Sequence, residues 1–279
     1  MKKPAIAIFL LFLLLTACSP SATTPGPNYT FSTGGQPATS ATQITPTDSG
    51  IVNLEDLNNW TTIVEDPGLT IKREGENFNY LFVFDPQIVK ITVRLIDEKI
   101  INEVPGEDAF MSQLLNVKEP EADCGFAGPI YHQADLHAPV IQNFPMIEDG
   151  QLTEAENSFF PNSRTLYIDS GKVWISDTTG NSLESAQYAM SGHNPSEYKD
   201  VVRGNEEIYY EIAAVKDNQL LIMSTGGHTV DNLVELLIGY GVDPSKIIVI
   251  NDHPQAGCKT IDYYQWNNVV GSAIFVTEP

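Results

Sequence analysis

The chain has 279 residues, and its 36 Asp and Glu against 15 Lys and Arg give a formal net charge of −21. This charge argues against nucleic acid as a partner, because nucleic-acid binding depends on Lys and Arg that neutralise phosphates. It also repels anionic lipid headgroups, so the protein surface itself is not expected to attach to a membrane.

The N-terminus has the features of a bacterial lipoprotein signal peptide. Lys2 and Lys3 precede the apolar stretch Ala5 to Leu15, which is shorter than the roughly 20 residues that a membrane-spanning helix needs. Leu15-Thr16-Ala17-Cys18 then resembles a lipobox. We predict a signal peptide in residues 1–18, a lipid on Cys18 and a location on the extracytoplasmic face of the cell membrane. An unmodified cysteine in an ordinary secretory signal is the alternative.

Residues 19–50 are predicted to form a disordered tether. They consist almost entirely of Ser, Thr, Pro, Gly, Ala and Gln, and no charge precedes Asp48. Such a composition buries too little apolar surface to offset the entropy of ordering. Residues 51–279 are predicted to form one domain, since no second linker and no internal repeat is visible in them. Loss of Lys2 and Lys3 brings the mature charge to −21 − 2 = −23.

Two cysteines remain beyond the lipobox, Cys124 and Cys258. Export would place them in an oxidising compartment, where a single disulfide is the simplest interpretation. Two separate buried thiols are the alternative.

Strand signals dominate the first two thirds of the domain. Residues 80–84 and 88–96 are rich in β-branched and aromatic types, flank the turn-forming Asp85-Pro86-Gln87, and are predicted to pair with each other. Two further hairpins are predicted, one from residues 164–169 and 172–176 around Ser170-Gly171, the other from 208–215 and 219–223.

One helix is predicted near the C-terminus. Val230, Leu233, Val234 and Leu237 recur at helical spacing, with Thr229 as N-cap and a glycine, Gly241, for the C-terminal cap. Together with strands 219–223 and 247–250 this helix predicts a β-α-β unit with a parallel crossover. The fold class is therefore predicted as α+β, with a mixed, strand-rich sheet. Ligands of such sheets bind near the carboxyl ends of strands, here the loop 251–258.

The order of motifs resembles the phosphodiester glycosidase family over roughly residues 60–276. Four stretches are similar to family motifs: 67–69 with 84–86, the turn Pro145 to Gly150, residues 212–223, and residues 229–250. The resemblance implies the family's fold and hydrolysis of a sugar phosphodiester or a related glycan. It also places Gly125 and Phe126 at an Asn-Gly-aromatic site motif and implies that the segments of Cys124 and Cys258 meet beside the site.

The chain departs from the family at the site itself. The family has an asparagine before the glycine of its Asn-Gly-aromatic motif, whereas Asp123 and Cys124 precede Gly125 here. Glu211 or Tyr210 stands near the position of the family's arginine. Of the family's glycine-rich loop, only Asp252 matches. Arginine and backbone N–H groups would stabilise the charge of a phosphodiester. Either the substrate differs or the site is no longer catalytic.

Asp252 and His253 are the predicted catalytic residues. A carboxylate and an imidazole at the end of a strand suit general acid–base catalysis near neutral pH. The alternative is that Asp252 caps a turn and His253 precedes Pro254 without a role.

Gly125, Phe126, Glu211 and His228 are the predicted substrate-binding residues. His228 belongs to Gly226-Gly227-His228-Thr229, which could present backbone N–H groups to an anion or could simply form a tight turn before the helix.

Two other groups of residues invite a functional interpretation. His132, Asp135 and His137 could hold a divalent ion, although a solvated loop explains them more simply, and we predict no metal and no cofactor. Tyr263, Tyr264 and Trp266 could stack on a sugar, although such a strand more commonly packs on a sheet.

Two functions follow from these observations. The first is an envelope hydrolase that acts on a sugar phosphodiester or another exported glycan. The second is a catalytically inactive relative that binds a glycan or a protein. In both, the predicted partners are the membrane, through the lipid on Cys18, and a glycan, with no nucleic acid.

Overall fold

The computed structural model describes residues 56–75, 79–96, 111, 114–129, 131–132, 141–142, 144–153, 163–178, 183–201, 208–251, 255–264 and 270–279. Residues Val52–Pro279 form one compact unit. The predicted signal peptide and almost all of the predicted tether lie outside the described residues. No helix in the described ranges is long and apolar enough to cross a membrane.

The described elements are numbered in chain order. The strands are β1 (Thr61–Asp66), β2 (Leu69–Arg73), β3 (Tyr80–Phe84), β4 (Lys90–Leu95), β5 (Cys124–Ala127), β6 (Tyr131–His132), β7 (Ile141–Gln142), β8 (Met146–Glu148), β9 (Gln151–Thr153), β10 (Ser163–Asp169), β11 (Lys172–Asp177), β12 (Tyr188–His193), β13 (Ile208–Lys216), β14 (Gln219–His228), β15 (Ile247–Asn251), β16 (Ala256–Cys258), β17 (Tyr263–Tyr264) and β18 (Ser272–Thr277). The α-helices are α1 (Pro195–Val201) and α2 (Val230–Gly239), and single turns of other helix types span Leu114–Lys118, Pro244–Lys246 and Lys259–Ile261.

The strands form two main antiparallel sheets. The large sheet has eleven strands, in the order β1-β2-β3-β14-β13-β15-β12-β10-β11, with β8 and β9 attached beside β12. The small sheet has the order β17-β16-β5-β18-β4, and β6 pairs separately with β7. The predicted α+β class with a mixed sheet is wrong: the described chain is mostly β, and its strand pairings are antiparallel.

The predicted β-α-β unit with a parallel crossover is formed, with one further strand between its two parallel strands. Strands β14 and β15 flank α2 in sequence, as expected, but neither pairs with the other, because β13 lies between them and is antiparallel to both. The tight hairpin around Asp217 and Asn218 pairs β13 with the edge of β14 to which β15 would otherwise have paired. The helix therefore crosses over β13 to reach β15.

The prediction that residues 80–84 pair with 88–96 is wrong, because the two strands belong to different sheets. β3 lies between β2 and β14 in the large sheet, whereas β4 pairs with β18 at the edge of the small sheet. The carbonyl of Asp85 accepts hydrogen bonds from the N–H groups of Ile88 and Val89, each at 3.0 Å, and this turn carries the chain from one sheet to the other.

Both other predicted hairpins are present. β10 pairs with β11 and β13 with β14, each through a two-residue turn. Both residues of each turn have positive φ: 48° and 74° at Ser170 and Gly171, and 51° and 63° at Asp217 and Asn218. These are the backbone angles of the type I′ turn, whose twist matches that of the paired strands.

Helix α2 forms as predicted. The Thr229 side chain accepts a hydrogen bond from the Asn232 N–H, and the Asn232 side chain accepts one from the Thr229 N–H, which together form a capping box. Gly241 follows the helix with a φ of 93°, a conformation that glycine adopts without strain. Leu233 and Leu237 pack on the large sheet with Leu221, Ile212 and Val249.

The main core lies between the two sheets. Phe82, Phe84 and Ile222 of the large sheet meet Phe126 and Ile274 of the small sheet, and all five are fully buried. The rings of Phe82 and Phe126 meet edge to face, with centroids 4.9 Å apart. The large sheet is thus covered by the small sheet on one face and by α2 on the other.

An ion network adds a second tie between the sheets. Arg94 of β4 contacts Glu148 at 3.1 Å, Asp149 at 2.8 Å and Glu119 at 3.2 Å. Asp149 also accepts a hydrogen bond from the Tyr188 hydroxyl, and this bond, followed by the Arg94 contact, lowers the pKa of Asp149. Arg94 is therefore fully engaged as a structural cation.

Candidate functional site

The disulfide marks the place where two segments distant in sequence meet. Cys124 of β5 and Cys258 of β16 lie directly opposite each other on adjacent antiparallel strands, with 4.0 Å between their Cα atoms, and they form the expected disulfide. Both residues are fully buried and belong to the core between the sheets. The two segments that the family resemblance implied to be neighbours are therefore neighbours.

A group of polar residues lies where these strands end. We call it the polar corner, and it comprises the buried residues Glu211, Ser224, Gln255 and Ser272 and the half-buried Asn251. Three of its members come from adjacent strands of the large sheet, because Glu211 on β13 is paired with Ser224 on β14 and with Asn251 on β15.

Backbone segments of the small sheet complete the polar corner. The Asn251 side-chain amide donates to the Gly128 carbonyl at 3.0 Å, and the Gly128 N–H donates to the Ser272 carbonyl at 2.6 Å. The Ala127 N–H donates to the Gln255 carbonyl at 3.0 Å. A Cβ at position 128 would collide with the Ser272 hydroxyl, so only glycine allows this approach.

Glu211 is the most unusual residue of the polar corner. Its side chain is fully buried, and neither carboxyl oxygen has a hydrogen-bond partner among the described residues. Burial raises its pKa well above the ordinary value, and the nearby N–H of Ala127 offsets only part of this rise. The buried carboxyl therefore holds its proton more tightly than an exposed glutamic acid does.

Tyr263 borders the same carboxyl. Its hydroxyl lies 3.3 Å from the Ser224 hydroxyl, and its ring packs on that of Tyr80 with centroids 4.5 Å apart. Burial raises the pKa of Tyr263, the Ser224 hydrogen bond lowers it, and the neighbouring Glu211 carboxyl raises it further. Tyr263 is thus a buried phenol next to a buried carboxyl.

Two other members of the polar corner have polar atoms without a partner among the described residues. These are the Gln255 side-chain carbonyl oxygen and the Ser272 hydroxyl, and both residues are at least 98% buried. A buried polar group without a hydrogen bond costs on the order of 1–3 kcal/mol. Their concentration around Glu211 is typical of a binding or catalytic site, where such a cost is offset by function.

Asp252 and His253, the predicted catalytic residues, lie outside the described residues. Asn251, which precedes them, and Gln255, which follows Pro254, are both described and belong to the polar corner. The predicted loop 251–258 therefore begins at the polar corner and ends in β16, at Cys258.

The predicted substrate-binding residues Gly125 and Phe126 are packing residues in the structure. Phe126 is fully buried against Phe82 and Phe84. Gly125 faces the Met111 sulfur and the Phe275 ring so closely that a Cβ would not fit. Both residues are buried in the structure, and their role in substrate binding stays a prediction.

His228 belongs to a separate cluster. It ends β14 and does not form a turn before the helix; its Nε2 lies 3.4 Å from a Glu74 carboxyl oxygen and 3.3 Å from the Asn79 amide nitrogen. None of these contacts reaches Glu211. His228 therefore links residues 74 and 79 to the end of β14, and its role in substrate binding stays a prediction.

The remaining candidate groups are only partly described. Asp135, His137 and Trp266 lie outside the described residues, as does the His132 side chain, and no cluster of three metal-binding side chains occurs in the parts of the chain that the structure covers. Tyr263 is 7% exposed and packs in the core, which confirms the simpler interpretation of that aromatic strand.

Sequence reasoning identified Glu211 as a replacement for an arginine and as a substrate-binding residue, but it missed most of the polar corner. A signal was present, since a single carboxylate stands in the apolar stretch Tyr210 to Val215. Ser224, Gln255 and Ser272 gave no comparable signal, because their role depends on which strands become neighbours.

Comparisons with known proteins agree with this geometry at the level of the fold. No family model matches the chain, and no curated protein matches it by sequence. The catalytic domain of zebrafish N-acetylglucosamine-1-phosphodiester alpha-N-acetylglucosaminidase, auto-inhibited by its pro-peptide, is similar with a TM-score of 0.50 at 9% identity, covering 79% of this chain and 81% of that one. A protein of Burkholderia pseudomallei described as exported has a TM-score of 0.42 at 6% identity, covering 75% of this chain and 74% of that one. The first similarity supports a distant relationship in fold.

Proposed function

We propose that the protein is an extracytoplasmic, lipid-anchored hydrolase of a glycosidic bond, with Glu211 as its proton donor. The observation that carries this proposal is the fully buried Glu211 carboxyl, whose pKa is raised by burial and whose oxygens have no hydrogen-bond partner among the described residues. A carboxylic acid kept neutral by an apolar environment is the usual general acid of glycoside hydrolysis.

The chemistry requires one proton donor and one acceptor. Glu211 gives its proton to the oxygen of the departing group while the bond between that oxygen and the anomeric carbon breaks. The oxygen of a water molecule forms the new bond to that carbon. Asp252 or His253, from the segment between Asn251 and Gln255, takes the proton that this water releases.

The charge of the polar corner favours an uncharged glycan over an anionic phosphodiester. The zebrafish enzyme acts, by its name, on an N-acetylglucosamine 1-phosphodiester. Here a neutral glutamic acid stands near the position of the family's arginine, and no cation contributes to the pKa of Glu211. The first substrate to test is therefore a neutral N-acetylglucosaminide.

The test measures N-acetylglucosamine released from methyl N-acetyl-α-glucosaminide, or from its methyl phosphodiester counterpart, by the purified mature protein. We expect the wild type to release the sugar and Glu211→Gln to be at least about 10²-fold slower, because general acid catalysis contributes that much. Glu278→Gln is the matched control, since burial also raises the pKa of Glu278 but this residue lies near the C-terminus. Equal rates for wild type and Glu211→Gln would remove Glu211 from the mechanism.

A catalytically inactive relative that binds glycan or protein at the envelope is the second candidate. The observation that favours it is the replacement of a cation by Glu211, together with a disulfide that fixes both site segments. Binding of the same sugar by the wild type without any product, with or without added divalent metal, would establish this candidate over the hydrolase.

A further inference from the structure

An exposed aromatic ring lies on the side of β13 that carries Glu211. Tyr209 is 52% exposed, although most large aromatic side chains of the described chain are buried. It precedes Glu211 by two residues, and side chains two apart on a strand point to the same side. Tyr209 thus stands beside the polar corner, but in contact with solvent.

The Tyr209 ring lies against the neighbouring strand β14 at Gly226. A Cβ on Gly226 would collide with three atoms of the ring, so only glycine lets the ring lie on the backbone of β14. The Gly226 N–H donates to the Asn79 side-chain carbonyl at 2.7 Å, and the Asn79 amide donates to Glu74 at 2.6 Å. The cluster that includes His228 therefore fixes the backbone on which the ring rests.

The ring is also electrostatically close to the site. The Tyr209 and Tyr80 hydroxyls and the Glu211 carboxyl all act on Tyr263, whose hydroxyl contacts Ser224. Tyr209 is the exposed residue of this group, whereas Tyr263 and Glu211 are buried. The Tyr209 ring contacts β14 at Gly226, and about half of its surface is open to water.

We propose that Tyr209 is an aromatic platform that stacks on an uncharged pyranose ring and delivers the neighbouring glycosidic bond to Glu211. The apolar C–H face of a pyranose matches the face of an aromatic ring, and a rigid ring loses little entropy on binding. The neighbouring acidic side chain Glu74 and the mature charge of −23 disfavour anionic sugars. This inference rests on the proposed function and adds the residue that selects the substrate.

Binding is measured by NMR titration of the mature Glu211→Gln protein with methyl N-acetyl-α-glucosaminide, so that turnover does not intervene. Adding Tyr209→Ala should raise the Kd by roughly three- to tenfold, which is the range expected for loss of aromatic stacking. Tyr209→Phe keeps the ring and should leave the Kd unchanged. Ile238→Ala is the matched control, because Ile238 is also exposed, at 42%, but lies on helix α2.

The outcomes separate this inference from the proposed function. A Kd in Tyr209→Ala equal to that of Ile238→Ala overturns the platform, as does absence of sugar binding in every variant. Binding that depends on Tyr209 without turnover by the wild type supports the platform and overturns only the hydrolase. Turnover by the wild type with an unchanged KM in Tyr209→Ala overturns only the platform. Thermal unfolding of each variant confirms that the fold is retained.

Discussion

Glu211 interrupts an apolar stretch of β13, and its carboxyl is removed from water without a compensating cation. Ionising a carboxyl in such surroundings costs several kcal/mol, so the proton is retained instead. The adjoining Ser224, Tyr263 and Asn251 are neutral near pH 7 and have hydroxyl or amide groups. At the scale of single residues, the site is therefore polar and uncharged, which suits a hydroxyl-rich ligand.

The raised pKa of Glu211 predicts how stability depends on pH. The folded protein holds this proton more tightly than the unfolded chain, in which the pKa is near the ordinary 4.5, so the free energy of unfolding contributed by Glu211 falls as the pH rises above that value. The loss is at most about 1.4 kcal/mol per pH unit and stops at the folded-state pKa. We expect the free energy of urea unfolding of Glu211→Gln, taken relative to that of the wild type, to increase from pH 4 to pH 8. A difference that is constant with pH would mean that Glu211 ionises normally.

At the scale of elements, local sequence signals were reliable where short-range chemistry decides the structure. Helix α2 follows from its apolar spacing, the Thr229 cap and Gly241, and the two type I′ hairpins follow from their turn residues. The prediction that residues 80–84 pair with 88–96 was wrong, because a hairpin and a turn between two sheets have the same strand–turn–strand pattern in the sequence. Only packing over long sequence distances distinguishes the two.

The disulfide belongs to this scale because it joins β5 to β16. Its cysteines are separated by 134 positions in the sequence, and closing such a long loop stabilises the fold by about 5 kcal/mol in the chain-entropy model. Cys124→Ala combined with Cys258→Ala should lower the free energy of unfolding by about 2–5 kcal/mol. Guanidinium unfolding with and without dithiothreitol checks this, with the double variant as control. An unchanged wild-type midpoint after complete reduction would contradict the prediction.

At the scale of the whole molecule, the fold class was the largest error of the sequence interpretation. The chain has one long helix pattern and many strand patterns, and the position of β13 between β14 and β15 made the sheet antiparallel. The polar corner needed the same long-range information, since its members lie between residues 211 and 272 and on both sheets. The neighbouring positions of Cys124 and Cys258 were predictable, because export and cysteine number limit the choices.

The predicted lipid anchor also concerns the whole molecule. An acyl chain on Cys18 should place the full-length protein in the membrane fraction, since each buried methylene contributes about 0.8 kcal/mol and the acidic domain has no attraction for anionic lipid. Cys18→Ser should move the protein to the soluble fraction or leave its signal peptide uncleaved. Ser21→Ala serves as control and should remain membrane-bound. Mass spectrometry of a wild-type N-terminus without lipid would contradict the anchor.

The pH dependence of N-acetylglucosamine release from methyl N-acetyl-α-glucosaminide, by wild type and by Glu211→Gln, tests the central claim most directly. We predict that the wild-type rate is highest while Glu211 is protonated and falls on the alkaline side, whereas Glu211→Gln is at least about 10²-fold slower at every pH. A wild type without turnover, or a Glu211→Gln variant with the wild-type rate and alkaline limb, would contradict the claim that a neutral Glu211 is the acid of this site.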